Sequence, residues 1–361
     1  MTDQSELARA AHPSAQPLGQ TVHFGPARVS TLASGMALRL TVKPSLYFAT
    51  QVGRVVNAVD QDVLQRTSLA GVDAPPRLSK AVPETTCEPV RLPTCDAEWI
   101  IPSSPAARSG ATVIYFHGSA FIVLGLNSHR PFVSRLARAT GASVLNVAYG
   151  LRPLHNLEDA VQHGIDAYEH AIDRGADPSR IVLAGDSAGG FMAAMVAIRM
   201  RELGLPLPVG QVLLSPATDS RLEPKLECAR RHPDDMFPLA MAKFLWHVYI
   251  ARNGTHQVED GPVDSDLTGL GPFLIQVGST ELLLHDAELL TTRLRAAGVR
   301  ADLQVFDRAP HVFQLSTQIN ADARDAMRNV HDFIRTVTET PRVARHASNR
   351  RSQRRRLRIV R

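Results

Sequence analysis

The stretch Ile181-Val182-Leu183-Ala184-Gly185-Asp186-Ser187-Ala188-Gly189-Gly190 decides the reading of this chain. A short apolar run feeds Gly-Asp-Ser-Ala-Gly, and helical spacing opens behind it. A strand, a sharp turn and a helix in that order are what a nucleophile elbow needs. The turn strains the serine backbone. Gly185 and Gly189, two residues to either side, leave room where a Cβ would collide. Ser187 then sits at a helix N-terminus, where the dipole favours developing negative charge.

Outward from this stretch, apolar runs alternate with helical spacing. Upstream, residues 97–101, 111–116 and 143–148 read as strands. Residues 128–140 and 157–172 read as helices, the second capped by Asn156. Residues 180–184 feed the elbow, and 191–200 continue the helix behind it. Downstream, 211–215, 273–277 and 301–306 read as strands, with helices over 282–297 and 321–337. Near-continuous apolar strands alternating with helices predict an α/β protein whose mainly parallel sheet is covered on both faces. The rhythm breaks at 219–261, a polar segment with an aromatic centre at 241–249. Such an excursion usually lies over one edge of a site.

The N-terminal part reads differently. Residues 1–30 mix Pro, Gly, Ser and Gln and look like an unstructured lead-in. Between 46 and 60, Phe48, Val52, Val55, Val56 and Val59 share one helical face. The expectation is a helix packed on the domain through that face. A membrane-surface helix calls for more cations on its polar side than Arg54 alone. Residues 70–95 carry Pro75, Pro76, Pro83, Pro89 and Pro93 and read as a connector.

With 361 residues, 44% hydrophobic and 21% charged, the chain suits a soluble protein of one large domain with an accessory piece, or of two domains. Its start lacks a basic n-region ahead of an apolar core, so no signal peptide is expected. The apolar stretch 111–126 is too short and too broken to cross a membrane. A cytoplasmic location follows as the expectation. Cys87, Cys95 and Cys228 read as reduced thiols, without the spacing of a metal site; the alternative is a Cys87–Cys95 pair in an oxidising compartment. The net charge of +5 is misleading, because residues 342–361 hold nine arginines and no acid, which leaves −4 for the rest. The basic character belongs to a tail. Such a tail is either simply solvated, the preferred reading, or contacts the phosphates of nucleic acid or anionic lipid.

A serine nucleophile needs a base, and the base needs an acid to hold its tautomer. In α/β hydrolases the chain order is serine, acid, histidine. His311 follows the last strand, where the base belongs; His247 and His285 fit less well. Glu281 is the first carboxylate after the strand at 273–277 and is preferred as the acid. Asp286, five residues on and already in helical spacing, is the alternative. Oxyanion donors are expected from the amide of Ala188 and from the loop after the strand at 111–116.

That loop, His117-Gly118-Ser119-Ala120, followed by Gly185-Asp-Ser-Ala-Gly-Gly190, resembles the hormone-sensitive-lipase-like family of α/β-hydrolase esterases. Tyr149-x-Leu-Arg-Pro153, Leu157-Glu-Asp-Ala160 and Asp177-Pro-x-Arg-Ile181 resemble the same family, so the likeness covers about 97–337. It implies an α/β-hydrolase fold and a carboxylesterase or lipase activity on small ester substrates, with no cofactor or metal. The implied site joins Ser187, Glu281 and His311 to an oxyanion hole at Gly118, Ser119, Ala120 and Ala188, with His117 bracing the loop. The family's loop is usually His-Gly-Gly-Gly. Ser119 and Ala120 still donate amides, but their Cβ atoms narrow the hole and should disfavour bulky alcohol groups. The likeness also implies a helical cap, so the expected domains are 1–95 as lead-in and cap segment, 96–340 as catalytic domain with a cap insertion at 219–261, and 341–361 as tail. Phe48, Trp246 and Tyr249 are candidates to line the acyl pocket. Family members are often monomers or dimers. Two rivals stay open: an amidase or peptidase on the same fold, and a binding protein on an inactive scaffold. Ser at position 187 argues against the aspartate-nucleophile hydrolases of this fold.

Overall fold

The strand that feeds the elbow, β6 (Ile181–Asp186), lies inside a nine-stranded sheet. The computed structural model describes residues 18–59, 63, 69, 71–231, 233–245 and 261–339. The other strands are β1 (Thr21–Phe24), β2 (Thr85–Arg91), β3 (Asp96–Pro102), β4 (Thr112–Phe116), β5 (Ser143–Ala148), β7 (Gly210–Leu214), β8 (Phe273–Gly278) and β9 (Ala301–Phe306). They lie in the order β1-β9-β8-β7-β6-β4-β5-β3-β2. All neighbours from β1 through to β5 run parallel, whereas β3 pairs antiparallel with both β5 and β2.

Helices cover both faces, which explains why the central strands read as unbroken apolar runs. In β6, Ile181 and Leu183 join one core with residues of α4 (Leu157–Asp173), α5 (Ala188–Glu202) and α8 (Leu284–Ala296). Val182 and Ala184 join the opposite core with α3 (Leu126–Thr140) and α9 (Ala321–Glu339). The start of α4 is set by local chemistry. Asn156 Oδ1 accepts the Asp159 amide at 2.8 Å and Asp159 Oδ2 accepts the Asn156 amide at 3.1 Å, a reciprocal capping box.

Two stretches differ from the sequence expectation. Part of the lead-in forms β1, which extends the sheet beyond β9 through parallel pairing from Thr21 with Leu303 to Phe24 with Phe306. Part of the connector forms β2, with Pro89 opposite Glu98. Proline cannot donate to a ladder, and β2 tolerates it because this strand is the sheet's outermost.

Four more helices stand outside the sandwich: α1 (Val29–Leu40), α2 (Val42–Val59), α6 (Glu223–Arg231) and α7 (Leu239–Leu245). The excursion after β7 supplies α6 and α7. Gly53 of α2 sits against α7 so closely that a Cβ there would lie 2.8 Å from Phe244 Cζ. The α2 stripe of Phe48, Val52, Val55 and Val59 does not pack inward. Those side chains are exposed, and Thr50 is the buried residue of this helix. The three cysteines are unpaired thiols. The arginine-rich tail lies outside the described residues.

Candidate active site

Ser187 stands between β6 and α5 at φ +54° and ψ −119°, a conformation that costs a non-glycine residue about 1–3 kcal/mol. Its surroundings hold it there. Its amide donates to Leu214 O at 2.8 Å, and its carbonyl accepts the Ala217 amide at 3.1 Å. Both partners belong to the end of β7 and the loop after it. The two glycines are required by contact. A Cβ on Gly185 would lie 2.2 Å from Gly189 O, and one on Gly189 would lie 1.9 Å from Phe116 O.

Glu281 and His311, thirty residues apart in the chain, meet at 2.7 Å between Oε2 and Nδ1. Both are buried. The other carboxylate oxygen, Oε1, accepts the Ser215 hydroxyl at 2.7 Å and the Gly278 amide at 2.6 Å. A buried carboxylate needs such partners to offset its lost hydration. Burial opposes the charged imidazolium of His311, but the Glu281 hydrogen bond and charge, with Asp234 and Asp186 further off, outweigh it, and its pKa is raised above 6.5. The remaining ring nitrogen, Nε2, has no partner among the described residues. The Phe237 ring stands edge-on to the imidazole at 4.8 Å.

Asp286 is engaged elsewhere. It pairs with Lys225 Nζ at 3.0 Å and accepts the amides of Thr218 and Asp219 at 2.8 and 2.9 Å. The structure therefore brings Glu281, and not Asp286, to His311. Two supporting residues were not singled out from sequence. Ser215 follows β7 directly, and its hydroxyl also accepts the Val312 amide at 3.2 Å, so it ties together the loops after β7, β8 and β9. Asp234 accepts the amides of Met236, Phe237 and Leu282, which joins the excursion to the Glu281 loop.

The loop after β4 rests on Asp186. Its Oδ1 accepts Tyr115 Oη at 2.6 Å and the Gly118 amide at 2.9 Å, and its Oδ2 lies 3.4 Å from His129 Nε2. Gly118 consequently cannot donate to a substrate oxygen, a correction to its place among the expected oxyanion donors. The amides of Ser119, Ala120 and Ala188 donate to no acceptor among the described residues. The Ser119 hydroxyl accepts the Phe121 amide at 2.9 Å and bonds Tyr149 Oη at 2.7 Å, and Tyr149 Oη donates to His117 O at 2.7 Å. Burial, helped by nearby His129, lowers the His117 pKa to about 4. His117 is therefore neutral at pH 7 and stacks on Tyr149 at 4.7 Å.

Comparison with known proteins bears on this geometry. A model of the α/β hydrolase fold family matches residues 113–315. The chain belongs to the α/β-hydrolase family. It is similar to the carboxylesterase/phospholipase LipF of Mycobacterium tuberculosis, at 33% identity over 323 residues, covering 87% of this chain and 83% of that one. It is similar to the crystal structure of an esterase from the bacterial hormone-sensitive lipase family, at 34% identity and TM-score 0.66, covering 72% of this chain and 86% of that one. An esterase/lipase from an uncultured bacterium superposes with TM-score 0.70 at 26% identity, covering 87% of this chain and all of that one. Within its family the chain falls in the hormone-sensitive-lipase-like group of carboxylesterases.

Ser187 opens into a cavity of about 180 Å³ in this hydrolase. Phe121, Phe191, Leu222, Phe237, Met241 and Leu282 make it mainly apolar, and Ala120 and Ala188 line it beside the serine. Asp219, Arg221 and Lys225 add a charged end whose members pair with one another and with Asp286. The excursion after β7 supplies much of this wall. Phe48 does not contribute and is exposed instead. Trp246 and Tyr249 lie outside the described residues.

Proposed function

We propose that this hydrolase cleaves short- to medium-chain carboxylic esters, with Ser187 as nucleophile, His311 as general base and Glu281 as the acid that orients it. The observation that carries this reading is the 2.7 Å bond from Glu281 to His311 Nδ1. That bond holds the proton on Nδ1 and keeps Nε2 as the basic nitrogen.

In the proposed reaction, Ser187 Oγ attacks the ester carbonyl carbon as its proton passes to His311 Nε2. The carbonyl oxygen becomes an anion facing the free amides of Ser119, Ala120 and Ala188 at the N-terminus of α5, where the helix dipole adds stabilisation. The tetrahedral centre collapses, and the alcohol leaves with the proton from His311. Water then attacks the acyl-enzyme by the same route in reverse. Every step uses side chains, amides and water, so no cofactor is called for. The mainly apolar lining of this cavity, with Phe121, Phe191 and Phe237 beside the serine, suits an acyl chain. Helices α6 and α7 roof this cavity and, with α1 and α2, act as the cap.

A p-nitrophenyl ester series of increasing acyl length tests the proposal on the wild type, Ser187→Ala, Glu281→Ala and Asp286→Ala. Ser187→Ala should abolish turnover, and Glu281→Ala should reduce kcat far more than Asp286→Ala does. Undiminished turnover in Ser187→Ala refutes the mechanism, and the opposite ranking of the two acids reassigns the base's partner.

A further inference from the structure

Helices α1 and α2 each turn an apolar stripe outward. On α1, Val29, Met36 and Leu40 follow i, i+7, i+11 spacing. On α2, Phe48, Val52, Val55 and Val59 follow i, i+4, i+7, i+11. Phe48 is 71% exposed, Val55 65% and Val59 86%, and on α1 Val29 is 82% and Leu40 69% exposed. Single exposed apolar residues are ordinary, but periodic stripes on consecutive helices mark an interaction surface. The inner side of α2 packs at Gly53 against Phe244 of α7, and Met241 and Leu245 of α7 line the Ser187 cavity. The exposed stripe is therefore one helix removed from the cavity.

Charge selects the occupant. Residues 29–59 contain Arg39, Lys43 and Arg54 and no aspartate or glutamate, although the chain without its tail is net acidic; Lys43 Nζ turns inward to the Asp234 carbonyl, which leaves Arg39 and Arg54 exposed. Arg39 adjoins Leu40, and Arg54 adjoins Val55. Arg54 by itself is too little charge for a membrane-surface helix, but the stripe of α1 adds Arg39 and no acid on either helix opposes them, which suits the boundary between anionic headgroups and acyl chains. A two-fold contact between copies of this chain would bring this patch against itself, with no acid on either helix to neutralise its cations. Neither helix crosses a bilayer, since no helix among the described residues is long and apolar enough. We propose that the outer face of α1 and α2 docks the protein on the surface of an anionic lipid bilayer. The nine arginines of residues 342–361 supply a second attraction of the same sign. Durable surface attachment generally takes two such signals.

Flotation of the full chain with vesicles tests this, using phosphatidylcholine alone and phosphatidylcholine with phosphatidylglycerol in equal parts. The probe variant is Phe48→Ser combined with Val55→Ser, which keeps every arginine and alters only exposed side chains. Wild type should float with the anionic vesicles and much less with the neutral ones. The variant should bind the anionic vesicles about tenfold more weakly, with an unchanged circular-dichroism melt. Equal binding of the variant would assign attachment to the tail alone and overturn the proposal. So would absence of wild-type binding. So would light scattering that shows a wild-type dimer split by the variant, because the stripes would then cover a second copy.

Discussion

Ser215 donates its hydroxyl to Glu281 Oε1 at 2.7 Å while accepting the Val312 amide at 3.2 Å, so one small side chain holds the carboxylate in register with the residue after His311. Ser215 is fully buried. A hydrogen bond to a charged group contributes about 1.5–3 kcal/mol. Ser215→Ala should therefore lower kcat about tenfold with little change in KM, and reduce stability in a thermal melt. Wild-type kinetics in this variant would show that Gly278 and His311 suffice to hold Glu281.

The imidazole supplies a pH test. A general base works only when neutral, and the His311 pKa is raised above 6.5. The acid limb of kcat/KM should thus have its midpoint above 6.5. Glu281→Gln removes the charge that favours the imidazolium, so its midpoint should move to lower pH while kcat falls about 10²- to 10⁴-fold. The same raised pKa stabilises the fold at acid pH. That contribution is fully present below the unfolded pKa of His311 and is lost as pH rises through the folded one. A midpoint that stays put in Glu281→Gln would separate the carboxylate from the titration.

Asp186 should position the oxyanion loop. Asn at this site keeps an oxygen for Tyr115 and Gly118 but loses the charge facing His129, now 3.4 Å away. Asp186→Asn should lower kcat about tenfold, leave KM nearly unchanged and cost about 1–3 kcal/mol of stability. Equal kcat with a lower melting temperature would restrict Asp186 to a role in folding.

Ala120 sits at φ +47°, where a Cβ is strained, and it lines the cavity beside Ser187. Ala120→Gly relieves the strain and widens the space above the scissile carbonyl. Esters of tertiary alcohols should gain rate relative to primary ones in this variant. An unchanged ratio of the two rates would place the restriction elsewhere in the cavity.

Asp286 offers the contrast. Removing its side chain leaves buried Lys225 with only the Asp219 and Arg221 carbonyls and no counter-charge, and the amides of Thr218 and Asp219 without their acceptor. Asp286→Ala should cost about 3–5 kcal/mol of stability yet preserve the pH midpoint of the surviving activity. A shifted midpoint would connect Asp286 to the base after all.

How much of this was legible follows from how local each feature is. The Gly-Asp-Ser-Ala-Gly turn needs only neighbouring residues. Gly185 and Gly189 are dictated by contacts within the turn and with the adjacent strand, and the Asn156 cap by a residue three positions on. Strand β2 was hidden because Pro89 is compatible with a strand only at a sheet edge, and edges are not written in a segment. The spacing of Phe48, Val52, Val55 and Val59 defines a helical face, but periodicity does not say which side faces the protein.

By itself, then, the sequence determined the α/β alternation, the elbow and the order in which serine, acid and histidine candidates occur, because each rests on residues adjacent in the chain or on the sequence of elements. Only the tertiary structure decided that Glu281 meets His311 while Asp286 meets Lys225, that the Gly118 amide is taken by Asp186, and that Ser215 joins three loops. Two carboxylates five residues apart are alike in sequence terms. They differ in which distant side chain the packed loops bring within 3 Å, and that depends on the whole sheet and the excursion above it.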